Sequence, residues 1–220
     1  MNLQKEKSMN LIEMKDFLDY EQKIKTNDKI FPKLMFIYEI ALKELSTKLE
    51  IIKQEFEVFY DYHLIDHINT RIKEPESIVN KMKKKECKLT YEDMIKNVND
   101  IAGIRVICPL KKDIFSIRKS IAELPEINIV REKDYVNHPK KSGYSAYHMI
   151  LHVPIVLSGQ IIYVKVELQI RTMAMDFWSS LEHEMKYKAK GKVKKKDSKE
   201  WINCAKMINK LDNKMVVLNN

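Results

Sequence analysis

The sequence predicts an α+β fold: a small mixed β-sheet flanked by helices, with a long helix toward each end. Apolar residues recur at helical spacing over 34–60 and again over 200–218. Between these, residues 101–170 read in the order strand, helix, strand, strand, strand. The stretch 161–172, IIYVKVELQIRT, sets Val164, Val166, Leu168 and Ile170 alternately with Lys165, Glu167, Gln169 and Arg171. That period of two makes a strand with one oily and one polar face. The polar face is unusual. It offers a carboxylate, an amide and a guanidinium in a row, where a solvated face carries Thr, Ser and scattered Lys.

Taken in order, residues 10–24 read as a short amphipathic helix. Leu34, Tyr38, Ala41, Leu45, Leu49, Ile52, Phe56 and Phe59 then line one side of a helix that begins after Pro32. Glu74-Pro75 closes an extended approach, and Pro75 suits the first turn of a helix running toward residue 85. Ile101–Cys108 is a short buried strand stopped by Pro109. A helix over 113–124 takes Asp113 as N-cap, and 127–131 form a second strand. The loop VNHPKKSG follows, broken by Pro139 and Gly143. Strands at Ala146–Val153 and Ile161–Ile170 join across Ser158-Gly159, and Thr172 caps a helix to about Tyr187. KAKGKVKKKDSKE is a basic connector and the expected hinge. The last helix puts Trp201, Ala205, Ile208, Leu211 and Met215 on one side. The expected organisation is one structural domain in three parts: a helical region over 1–64, a core over 65–190, and the connector with the last helix over 191–220.

The 220 residues are 45% apolar, enough for a real core, and contain no long apolar run of membrane-spanning length. The N-terminal MNLQKEKSMN lacks the apolar centre of a secretory signal. Cys87, Cys108 and Cys204 are isolated, which points to a reducing cytoplasm and to neither a disulfide frame nor a zinc site. A net charge of +9 favours an anionic partner: nucleotide, nucleic acid or acidic surface. Its cations are nearly all lysine. Arg71, Arg105, Arg118, Arg131 and Arg171 are the arginines, and each marks a candidate place for a flat, two-pronged group that stacks on rings or grips phosphate.

Each polar constellation has a plain reading beside a functional one. Asp100 precedes a buried strand in NDIAGIRVI, with Arg105 five residues on and Ala102-Gly103 between them. It either caps a turn, with Arg105 pairing at an edge, or presents a carboxylate to a metal; the small residues allow close approach of another group. Glu167 is either part of a surface ladder or a second carboxylate sharing Mg²⁺ with Asp100, since that ion takes one or two carboxylates plus phosphate oxygens. Arg71, Lys73, Ser77, Lys81 and Lys84 are either a solvated basic face or a polyphosphate site near a helix N-terminus, with Ser77, Lys81 and Lys84 on one face. In PKKSGYSAYH, Tyr144 is either a packed aromatic or a stacking platform, with Lys140 and His148 beside it. Asp66-His67 lacks the further ligands of a metal phosphohydrolase.

Five blocks occur in order between about 65 and 190: TRIKEPESIVNKM, DIAGIRV, DYVNHPKKSGYSAYH, VELQIRT and AMDFWSSLEHEMKYK. Together they resemble the synthetase domain of RelA/SpoT proteins, and more narrowly the stand-alone small alarmone synthetases. The resemblance implies a nucleotidyltransferase-like fold and transfer of the β,γ-pyrophosphoryl group of ATP to the 3′-hydroxyl of GDP or GTP, giving (p)ppGpp and AMP. It implies that Arg71 and Arg105 sandwich adenine, and that Lys73, Ser77, Lys81 and Lys84 hold the ATP phosphates. Asp100 would carry Mg²⁺, with Glu167 as companion ligand or as base for the 3′-hydroxyl. Tyr144 would stack on guanine, Lys140, His148 and Gln169 would contact the acceptor nucleotide, and Arg171 would orient Glu167. A homo-oligomer, a tetramer in some members, is implied as well.

Departures matter. The family usually shows G-Y-R-S-x-H, whereas here Gly143-Tyr144-Ser145-Ala146-Tyr147-His148 lacks the arginine and the serine after it, which leaves the choice among GMP, GDP and GTP open. Asp176 stands where some members have Asn. The length leaves no room for a hydrolase, TGS or ACT domain, so synthesis without degradation is expected. Two other readings are an RNA-binding protein using the basic charge, and a fold-related toxin transferring pyrophosphate to tRNA. No aromatics interleave with the basic run, as RNA binding would favour.

Overall fold

Helix α1 (Ile30–Tyr60) shows how the ends of the chain serve the middle. Leu34, Ile37, Tyr38, Ala41, Leu42, Leu45, Leu49 and Ile52 are buried, three or four residues apart or adjacent, and form one apolar stripe. Pro32 falls in the first turn, where its missing N–H costs nothing. Phe59, expected on the buried side, is 78% exposed beyond the sheet. The computed structural model describes residues 12–13, 30–188 and 195–219.

The stripe of α1 packs on the apolar face of one mixed sheet. Among the described residues its strands are β1 (Ile12–Glu13), β2 (His67–Ile72), β3 (Ala102–Cys108), β4 (Asn128–Asp134), β5 (Tyr147–Leu157) and β6 (Gln160–Thr172). The order is β2-β3-β6-β5-β4, with β1 alongside β6. The β3–β6 and β1–β6 pairs are parallel; β2–β3, β6–β5 and β5–β4 are antiparallel. Strands β5 and β6 turn through Ser158 and Gly159, both at positive φ (50° and 77°), the two-residue hairpin loop that matches strand twist. Val164, Val166, Leu168 and Ile170 of β6 are fully buried, so the oily side of 161–172 is core.

Helices α2 (Pro75–Lys84) and α3 (Tyr91–Asn97) connect β2 to β3, α4 (Lys111–Ala122) connects β3 to β4, and α5 (Met173–Lys188) and α6 (Lys195–Leu218) end the described chain. No helix among the described residues is long and apolar enough to cross a membrane.

The structure corrects several expectations. Residues 12–13 of the expected helix 10–24 form strand β1; the rest of that span lies outside the described residues, as do 189–194 of the basic connector. Strand β2 was expected only as an extended approach. Its sequence HINTRI is largely exposed, with only Ile68 and Ile72 half-buried against the core. Helix α3 is a short addition capped by Thr90, whose hydroxyl accepts the Asp93 N–H at 3.2 Å. Asp113 is not the N-cap of α4 but sits inside its first turn, accepting the Leu110 N–H at 2.9 Å and the Tyr62 hydroxyl at 2.7 Å. On α6, Leu211 and Met215 are exposed, while Ala205 and Asp212 are buried. An acid in the buried stripe shifts the apparent phase of that helix.

Candidate active site

The pairing register lays the polar side chains out as two rows across the sheet. One row runs Arg71, Gly103, Glu167, Ile150, Arg131 over β2, β3, β6, β5 and β4; the next runs Asn69, Arg105, Gln169, His148, Lys133. Residues two apart on a strand share a face, so both rows lie on the side opposite the α1 core. Gly103 lets the rows come together. A Cβ built there would meet Arg71 Nε at 3.3 Å and Cγ at 3.4 Å, so the Arg71 side chain lies flat across the glycine.

Glu167 is the centre of a closed ring of five side chains. Gln169 Nε2 donates to Glu167 Oε2 at 2.8 Å, and Arg171 Nη2 donates to Gln169 Oε1 at 2.6 Å. The same Nη2 donates to the Tyr144 hydroxyl at 2.9 Å. That hydroxyl stands 2.6 Å from His148 Nε2, and His148 Nδ1 stands 3.4 Å from Glu167 Oε1. Arg171 therefore reaches Glu167 through Gln169. Burial pushes the Glu167 carboxyl up, the His148 and Gln169 bonds pull it down further, and the net position is below the usual glutamate range. The Asp100 charge acts on it in the raising direction.

Asp100 sits where the chain enters β3 and is buried. Its Oδ2 is held by Lys73 at 3.0 Å and by Lys81 at 2.6 Å, which draws β2's exit, α2 and β3 together. Burial raises its carboxyl, but the two ammoniums outweigh that and hold it below the aspartate range. Its Oδ1 is buried without a hydrogen-bond partner. Ser77 and Lys84 are exposed on α2 and make no hydrogen bond to this cluster.

Two clefts flank the ring. The first, of about 220 Å³, is lined by Asn69, Thr70, Arg71, Gly103, Ile104, Arg105 and Gln169. Gln169 thus lines the arginine cleft. Arg105 pairs with Asp176 at 3.0 Å, and the same carboxylate oxygen takes Arg171 Nη1 at 3.0 Å. Burial and the neighbouring Arg171 both disfavour the Arg105 charge. The second cleft, of about 180 Å³, takes Glu167, His148 and Lys140 together with Arg131, Lys133 and Tyr135. The Lys140 ammonium sits 4.6 Å from the ring centroids of both Tyr135 and Tyr144, and the Arg171 guanidinium 5.3 Å from that of Tyr144.

Tyr135, Arg131, Lys133 and Asp176 were not singled out as site residues from the sequence. Arg131 had a signal, as one of five arginines: Arg71, Arg105 and Arg131 line the clefts, Arg171 belongs to the ring, and Arg118 grips Glu132, which borders the second cleft, with two bonds at 2.8 and 2.7 Å. Lys133 had none in a lysine-rich chain. Tyr135 is placed by a loop, and no periodicity marks it.

Residues 70–192 match the region found in RelA/SpoT proteins. The chain belongs to the RelA/SpoT family. It is 40% identical over 182 residues to the GTP pyrophosphokinase YwaC of Bacillus subtilis, covering 83% of this chain and 87% of that protein. The GTP pyrophosphokinase YjbM of the same organism is 32% identical over 190 residues, covering 86% and 88%. Among solved structures, the B. subtilis small alarmone synthetase 1 bound to its product pppGpp is similar with a TM-score of 0.80 at 30% identity, covering 87% of this chain and 97% of that one. The B. subtilis small alarmone synthetase 2 is similar with a TM-score of 0.79 at 38% identity, covering 87% and 98%. The α+β architecture matches these small alarmone synthetases, and the chain is a GTP/GDP pyrophosphokinase of that type.

Proposed function

We propose that the arginine cleft takes ATP, the Tyr135–His148 cleft takes a guanosine nucleotide, and the β,γ-pyrophosphoryl group passes between them at Glu167. The observation that carries this reading is the placement of Glu167 and Gln169: side by side on β6, bonded to each other, each lining a different cleft. Two nucleotides seated in these clefts meet at that pair.

Arg71 and Arg105 present flat guanidinium groups to adenine, a role for which an ammonium lacks the surface. Lys73 and Lys81 lend their charge to the phosphates beside Asp100, and Ser77 and Lys84 on the same helix extend the cationic surface toward them. On the acceptor side Lys140 and His148 line the cleft, Tyr144, bonded to His148 beside it, turns its ring to guanine once Lys140 moves off it, and Arg131 and Lys133 present cations.

The residues fit Mg²⁺. Asp100 has a buried oxygen without a partner, and Glu167 adds a second carboxylate. Among the described residues no three His, Cys, Asp or Glu converge, so the two carboxylates would leave phosphate and water oxygens to complete the set, as this ion prefers. Such an ion would absorb charge on the transferred phosphates. Glu167 is ionised, and its Oε1 accepts the 3′-hydroxyl proton while Gln169 holds Oε2 in place. A ribose hydroxyl is a very weak acid, so this transfer proceeds in concert with bond formation. The remaining acceleration is positional: hydroxyl, β-phosphorus and leaving AMP are set in line. The protein acts in the cytoplasm, where both nucleotides are present, and as a homotetramer.

Incubation with ATP, Mg²⁺ and GMP, GDP or GTP in parallel tests the reading by chromatography. AMP and a 3′-pyrophosphorylated guanosine nucleotide are expected. No AMP with any of the three would exclude it, and AMP formed only with added tRNA would move the acceptor to RNA.

A further inference from the structure

The acceptor loop is anchored at its start, where Asp134 accepts the Val136 and Asn137 N–H groups and Tyr135 N–H donates to Ala146 O at 3.0 Å. Its far part is tied only internally by Lys140 N–H to Tyr144 O at 3.0 Å and Gly143 N–H to Lys140 O at 2.8 Å, a tight turn whose apex is free of strand pairing. Tyr144 depends on what holds its neighbours, and one helix outside the clefts touches them from two directions.

The first contact is at Gly143. Its φ is +91°, and a Cβ built there would lie 2.4 Å from Ala205 Cβ of α6 and 3.6 Å from Trp178. Loop backbone and helix thus meet with no room for a methyl group. Trp178 is fixed in turn by donating Nε1–H to the Trp201 carbonyl of α6 at 3.2 Å. The second contact is at Thr172, directly after Arg171. Its hydroxyl donates to Asp212 Oδ2 of α6 at 2.8 Å and accepts the Met175 N–H at 3.1 Å. Both Thr172 and Asp212 are buried. That hydroxyl starts α5, and α5 carries the Asp176 that holds Arg171; Arg171 in turn donates to Tyr144. Lys111 of α4 donates to Asn209 at 2.7 Å and Asn213 at 2.9 Å, so α6 has its own footing on the core.

We propose that α6 sets the acceptor site, with Asp212 as a positioning residue that acts through Thr172 and Arg171 on Tyr144. The proposal rests on the acceptor cleft being the guanosine site. It explains why an acid stays buried in the apolar stripe of α6 with no ion pair among the described residues: the nearby Lys111 charge favours its ionised form, and its hydrogen bond goes to the one hydroxyl that begins α5. The donor cleft shares one link with this chain of contacts, since Asp176 also pairs with Arg105 at 3.0 Å, but Arg71, Gly103 and Arg105 are each placed by strand pairing as well.

The test compares dissociation constants for GDP and for a non-hydrolysable ATP analogue by calorimetry, and the corresponding KM values where turnover is seen. Asp212→Ala and Thr172→Val should weaken GDP about tenfold, the loss expected for one buried hydrogen bond, and leave the ATP analogue within about twofold. Asp212→Asn and Thr172→Ser, which keep the bond, should restore GDP binding. A merely structural role predicts a lower Tm with both nucleotides moving together or neither moving, and either result overturns the proposal. If Asp212→Ala does not fold, Thr172→Val against Thr172→Ser decides by the same ratio. A wild-type chain that binds both nucleotides but forms no AMP would sink the reaction reading alone, because the binding ratios still judge α6.

Discussion

The two clefts are built by different means. The cleft proposed for the donor stands on strands: Arg71 faces Gly103 across the β2–β3 pair and Arg105 lies two residues further along β3, opposite Asn69, so main-chain hydrogen bonds fix their spacing. The cleft proposed for the acceptor takes Arg131, Glu132, Lys133, His148, Ile150 and Glu167 from strands but Tyr135 and Lys140 from a loop, and that loop, with Tyr144 bonded to His148 beside the cleft, is also held by side-chain bonds and by helices beyond the sheet. A register positions residues cheaply and locally. A loop needs outside contacts, so its residues are sensitive to substitutions far from the nucleotide.

Where the clefts meet, the difference disappears and the largest effect is expected. Glu167→Gln keeps the shape and the position on β6 but removes the negative charge that the His148 and Gln169 bonds stabilise. Turnover should fall about 10²- to 10⁴-fold, the range for loss of a positioned base, while both nucleotides still bind. Single-turnover AMP release measures it. Full activity in this variant would remove Glu167 from the chemistry and leave the two clefts without a shared centre.

The glycines separate the clefts next. Gly143→Ala adds a methyl group to a residue at φ +91° that already abuts Ala205. Strain at positive φ alone costs on the order of 1–3 kcal/mol, and the clash adds to it. Acceptor KM should rise more than about tenfold and Tm should fall, with ATP KM little changed. Adding Ala205→Gly should recover part of the loss, since it relieves the clash but not the backbone. Equal loss for both nucleotides would show that the clefts are not built independently.

On the donor side, Arg105→Lys keeps the charge and loses the flat surface. ATP KM should rise about tenfold and the acceptor KM should hold. An unchanged ATP KM would count against stacking on this side chain.

What could be read from the sequence follows the same division. The face carrying Glu167, Gln169 and Arg171 was visible because a strand writes its two faces alternately. Arg71 and Arg105 stood out because arginine is scarce here. The pairing that brings them together was not visible: β2 is an edge strand, largely exposed, and its apolar side is only Ile68 and Ile72, too short a pattern to mark a strand. Loop-borne Tyr135 was missed because nothing periodic marks a loop. The phase of α6 was misread because Asp212, a buried acid, occupies a place where an apolar residue was sought. The ring around Glu167 joins residues 19 to 27 positions apart at its two longest links, His148–Glu167 and Tyr144–Arg171, and only the folded sheet closes it.

The smallest effect sharpens the contrast most. Gly103 has no unusual φ, so alanine fits its backbone. A Cβ there meets only the flexible side chain of Arg71, at 3.3 and 3.4 Å, and that chain needs to give by a few tenths of an ångström. Removing a glycine from a strand also lowers the entropy of the unfolded chain, worth about 0.4–1 kcal/mol. Gly103→Ala should therefore raise Tm slightly while ATP KM rises no more than about threefold, as Arg71 lifts off its seat. Stability and donor binding would move in opposite directions, whereas Gly143→Ala lowers both stability and acceptor binding. A Gly103→Ala variant that lost Tm as well would mean the donor cleft is as tightly braced as the acceptor loop, and the distinction between strand-built and loop-built sites would fail.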